Sequence, residues 1–182
     1  MEDLSNLKRK VKQYQDILGN TKTYRETWKA SLKQSILDQL HQMIEACKLN
    51  AEVEIKDNVE NLEAIVVNLG ETRSGLYEKI NKEVNRHLIK HNGSLIYQQL
   101  FNGKIIVLIN FPVIEGYGQP HPPRTIAIYR PEEIKPPFMI RHMVELMKEV
   151  TNWEDYDDDD KQSNSINPIG FNMNLNKPEE EG

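Results

Sequence analysis

The chain has 182 residues, 38% of them hydrophobic, enough for one core and thin for two. Its single cysteine, Cys47, excludes an internal disulfide or a zinc site built on cysteines of one chain, and no run approaches the roughly 20 apolar residues of a membrane-spanning helix. The net charge of −5 is concentrated in residues 151–182, where nine acidic residues face two lysines, so residues 1–150 carry +2, too little to favour nucleic acid or an anionic membrane.

The opening Met1-Glu-Asp-Leu is acidic where a secretory signal would be basic. Together with the lone cysteine it predicts a cytoplasmic protein, or one built into a particle assembled inside the cell. Leu4, Leu7, Val11, Tyr14 and Leu18 then recur in alternating steps of three and four, the spacing of a helix that can zip against a partner. Gly19-Asn20 predicts an interruption, and Trp28, Leu32, Ile36, Leu40, Met43 and Cys47 mark the buried face of a second helix reaching about Leu49.

Residues 51–57 alternate polar and apolar side chains, and Leu62 to Leu69 is a β-branched apolar run, so the two are expected to pair as an antiparallel hairpin. Gly70 to Ser74 reads as a turn. Leu76, Ile80, Val84 and Leu88 are spaced for a central helix closed by Gly93. Residues 94–101 and 104–111 flank Asn102-Gly103, a dipeptide suited to a hairpin loop with positive φ at both turn positions. A loop rich in glycine and proline (115–123) and a short strand (125–129) follow. Pro136 and Pro137 then open a last helix whose stripe is Met139, Met143, Leu146 and Val150.

The expected class is α+β, an antiparallel sheet of about five strands packed with helices. Its parts are an N-terminal amphipathic helix (1–19), an α+β domain (20–152) and an acidic, disordered tail (153–182). From residue 23 to 150 the order α-β-β-α-β-β-β-α resembles that of roadblock and longin-type adaptor domains. That resemblance implies a small non-catalytic module that dimerises and binds partners.

Candidate chemistry is sparse. Glu83, His87 and His91 would project from one side of the central helix, but catalytic zinc takes three protein ligands with support behind them, and the solvated-face reading prevails. Gly70-Glu-Thr-Arg-Ser-Gly75 stands where a helix N-terminus could bind an anion, with Arg73 adding charge; a turn capped by Thr72 or Ser74 accounts for the same residues. Cys47 is expected in the core. The loop around Tyr117 and His121 could meet a partner. In the tail, Ile169, Phe171, Met173 and Leu175 alternate with small or polar residues, the spacing that a strand added to a sheet edge requires.

The reading is therefore a non-enzymatic interaction or assembly protein, an adaptor, a chaperone-like protein or a structural component such as part of a phage virion. It forms homo-oligomers, has protein partners, and needs no cofactor, metal or membrane. Its expected partner-binding residues are Leu4, Leu7, Val11, Tyr14, Leu18, Tyr117, Ile169, Phe171, Met173 and Leu175. The rival reading is a ligand-binding protein or enzyme using the 70–75 turn or the His87/His91 pair; a nucleic-acid-associated protein ranks third.

Overall fold

The computed structural model describes residues 2–156. Helix α1 (Glu2–Thr27) runs through a π turn (Trp28–Leu32) into α2 (Lys33–Cys47). Gly19 does not break it: an isolated glycine lowers helix stability by about 1 kcal/mol without forbidding the conformation, and the helix continues through it. The actual irregularity is the π turn, where the Lys33 N–H reaches Trp28 O and both Trp28 and Leu32 turn into the core. At its C-terminal end α2 closes on Lys48 in the left-handed conformation (φ 52°), its N–H and that of Leu49 returning to the carbonyls of Glu45 and Ile44.

Strands β1 (Glu52–Lys56), β2 (Ala64–Asn68), β5 (Ser94–Gln99), β6 (Ile105–Asn110) and β8 (Arg124–Tyr129) form an antiparallel sheet in the order β1-β2-β5-β6-β8. Between β2 and β5 the chain makes an arm from β3 (Glu71–Lys79) and β4 (Asn85–His91), and β7 (Val113–Ile114) adds to β4 in a second, smaller sheet. The class is α+β with a five-stranded antiparallel sheet. Residues 76–88, however, form a hairpin and not a central helix, so the segment order behind the adaptor-domain resemblance is not the order of this fold.

The physical reason lies at the two ends of that segment. Leu69 N–H bonds Gly93 O, and Asn92 N–H bonds Gly70 O, so β2–β5 and β3–β4 are one antiparallel ribbon bent at Gly70 and Gly93. Gly93 has φ +96°, and a Cβ there would stand 3.0 Å from Asn110 O, so the bend requires glycine. At the tip, Asn81 Oδ1 accepts from the N–H groups of Glu83 and Val84, a side-chain turn that substitutes for helical bonds.

One face of the five-stranded sheet carries Ile65, Val67, Leu95, Tyr97, Ile105, Val107 and Ile109. It is covered by Trp28, Leu32, Ile36 and Leu40 of the first helical rod and by Met139, Met143, Leu146 and Val150 of α3 (Pro136–Glu154). The α3 stripe expected from the sequence is buried throughout. No helix among the described residues is long and apolar enough to cross a membrane.

Candidate interaction surfaces

Steps of three and four run without a break along the first helix, through Leu4, Leu7, Val11, Tyr14, Leu18, Thr21, Arg25, Trp28 and Leu32. From Thr21 onward this stripe rests on the body. The β5–β6 turn lies against it: Arg25 Nη2 donates to Phe101 O at 2.6 Å, and a Cβ on Gly103 would stand 2.7 Å from Tyr24 Cβ. The turn is a hairpin as expected. Only Gly103 has positive φ (+77°), while Asn102 instead accepts the Lys104 N–H through its side chain.

Before Thr21 the body ends and the helix goes on. Every residue from 4 to 20 is exposed, and Leu4, Leu7, Val11, Tyr14 and Leu18 show 46–62% of their surface. At 1.5 Å per residue this stretch projects roughly 25 Å. Ile17 broadens the apolar stripe.

The root of the rod is held by a polar cluster. Trp28 Nε1 (3.1 Å) and Lys33 Nζ (2.7 Å) both donate to Glu63 Oε2 beside β2. The hydrogen bond from Lys33 holds the Glu63 carboxyl below the usual carboxylate range, against the opposing effect of burial, with the Trp28 bond and the Lys33 charge assisting.

Two arrangements were not anticipated from the sequence. The first is His142, fully buried on α3, with Tyr97 Oη at 2.9 Å from Nδ1 and Tyr129 Oη at 2.9 Å from Nε2. Burial pushes the ring down to about 4, the charge of Arg141 adding to the effect and Glu145 opposing it. Burial likewise raises the Tyr97 phenol. A neutral imidazole offers one donor and one acceptor, so one phenol donates and the other accepts.

The second arrangement is on the sheet face away from the helices. There Ala64, Val66 and Ile96 floor a trough of ≈ 710 Å³, walled by Val59 and Leu62 of the β1–β2 connection on one side and by Phe111, Val113 and His121 on the other. Its only sequence signal is the apolar character of outward positions in β2 and β5, which a sheet face exposed to water would normally fill with polar residues.

Several expected sites take other forms. His87 and His91 lie on β4, with His87 stacked on Tyr77 (ring centroids 4.4 Å) and His91 bonded by Glu71 at Nδ1 and Glu115 at Nε2. Glu83 is in the arm's tip, so these three do not share a helix face, and among the described residues no group of three His, Cys, Asp or Glu side chains is placed to hold a metal ion. Arg73 and Ser74 are in β3, with no helix N-terminus behind them; Ser74 Oγ donates to Leu88 O. Cys47 is exposed and not packed in the core: around it Met43, Ile44 and Leu49 make the contacts with the core. Tyr117 is half-buried in a smaller cleft with Leu76 and Trp153. Ile169, Phe171, Met173 and Leu175 lie outside the described residues.

The chain matches no family model, no curated protein and no solved structure.

Proposed function

We propose that this chain is an assembly protein whose α1 zips against the same helix of a second copy. One observation supports it: a single three-and-four stripe passes from side chains packed on the body to five apolar side chains with nothing over them. Water opposes such a stripe, and a matching helix removes it, with the alternating spacing keeping the seam in register as the two rods wind together.

The magnitudes are adequate. Closing the seam at about 1–2 kcal/mol per side chain gives on the order of 10–20 kcal/mol for two copies, against an association cost of about 4–15 kcal/mol. The balance reaches micromolar self-association where the gain exceeds the cost by about 8 kcal/mol, in the upper part of these ranges. The proposal covers an adaptor, a chaperone or a subunit of a particle such as a virion. The number of copies in the sedimenting species separates a pair from a larger assembly.

Sedimentation of the full chain beside Val11→Asp tests the proposal. The wild-type chain is expected to sediment as a multiple of its mass at tens of micromolar, and the variant as a single copy that keeps the wild-type circular dichroism, since Val11 is 46% exposed on the stretch that projects from the body. A wild-type chain that remains a single copy defeats the proposal.

A further inference from the structure

Where α3 ends bears on the open trough. Its last turn is fastened to the arm: Lys90 Nζ bonds Glu154 Oε1 at 2.5 Å and lies 5.9 Å from the Trp153 ring centroid. Trp153 and Glu154 line a cleft of ≈ 300 Å³ whose other walls include Val113 and His121. These same two residues form one end of the ≈ 710 Å³ trough. The end of α3 therefore lines a cleft that shares Val113 and His121 with the trough, and residues 157–182 follow it in the sequence.

Residues 157–168 are polar except for Ile166 and Pro168, and in the sequence that follows Ile169, Phe171, Met173 and Leu175 stand at every second position. Twelve residues reach at most about 40 Å, more than the roughly 19 Å across five strands. Seven residues in strand conformation would span about 20 Å, the width of the sheet. Both partners need what the other has. The floor is lined by the buried Val66 and the half-buried Ile96 on a face that carries no helix among the described residues, while the half-buried Gln98 beside them can meet peptide groups of an extended chain.

We propose that Ile169–Leu175 of the same chain seats its alternate apolar side chains in this trough, making the tail the resident occupant of a peptide-binding sheet face. A partner with the same alternation would have to displace it. This proposal is independent of α1, because the trough is on the sheet and the stripe is on the projecting helix.

The test attaches a nitroxide spin label to Asn172→Cys in the full chain carrying Cys47→Ser, with the polypeptide labelled by nitrogen-15. Position 172 lies between the apolar side chains, and Cys47 is exposed, so neither change is expected to disturb the body. Amide signals of Ala64, Val66, Ile96 and Gln98 should lose at least half their intensity while those of residues 4–18 keep theirs, and adding Phe171→Ala should restore the lost signals. Loss of signal elsewhere, or nowhere, overturns the proposal. So does loss seen only on nitrogen-15 chains mixed with a spin-labelled, unenriched copy, since the segment would then occupy a neighbour's trough.

Discussion

The hydroxyl of Tyr97 meets Nδ1 of His142 at 2.9 Å in the interior of the molecule, where neither group has access to water. An imidazolium there would have to give up its hydration and would repel Arg141, so the folded chain keeps the ring neutral down to about 4, whereas the unfolded chain protonates it near 6.5. The sign follows: the contribution is complete above about 6.5 and is lost as the pH falls toward about 4. Its full size is about 3 kcal/mol. Urea titrations at pH 7 and pH 4.5 should show a stability loss that His142→Gln reduces, since glutamine donates and accepts without titrating. The Glu63 carboxylate adds a separate loss at lower pH, which the variant should retain. An equal loss in wild type and His142→Gln contradicts this account.

Gly103→Ala should destabilise the fold by about 1–3 kcal/mol, since the new methyl group meets Tyr24 Cβ at 2.7 Å and the backbone there has positive φ. Gly19→Ala provides the contrast. A Cβ at Gly19 meets nothing within 4 Å, and alanine in a helix interior is favoured by about 1 kcal/mol. Helical content by circular dichroism should rise for the second variant, and the melting temperature should fall for the first.

Lys48 occupies the left-handed position that ends α2, at φ 52°. Lys48→Gly should therefore stabilise the protein by a few tenths to about 1 kcal/mol by removing backbone strain. Equilibrium denaturation checks it. A variant less stable than wild type would show that the lysine side chain contributes more than the strain costs.

Cys47 should react completely with a thiol reagent on the native chain, without denaturant, because the residue is exposed at the end of its helix. Protection of the native chain would mean that an assembly covers this end of α2.

The sequence disclosed most where a pattern had one interpretation. Met139, Met143, Leu146 and Val150 have helical spacing and no strand reading, and they are buried as expected. Leu76, Ile80, Val84 and Leu88 were ambiguous in a way that spacing could not resolve: steps of four suit a helix face but are also even numbers, so the same residues can share one face of a strand. The signals that decide it are local. Asn81 captures its own backbone, and Gly70 and Gly93 stand on facing strands, across from Asn92 and Leu69, an arrangement that becomes visible only once β2 and β5 are adjacent. The stripe from Leu4 to Leu18 and its availability to a partner were legible, but its continuation through Gly19 into the core was not, because nothing in residues 1–20 records where the body begins. The spacing from Met139 to Val150 puts His142 on the same helix, but its buried partners come from β5 and β8, at sequence separations that no local pattern records.

The π turn gives the projecting helix a mechanical meaning. Because α1 enters the core through Trp28 and Leu32 with no loop between, the exposed stripe and the sheet's helical cover belong to one rod from Glu2 to Cys47. A hinge would let the tip swing freely while the body stayed still. A rod anchored by Trp28 and Lys33 on Glu63 does the opposite: force applied over residues 4–18 acts as torque on the core, and in the proposed assembly the angle between two bodies would be fixed by how each rod is seated.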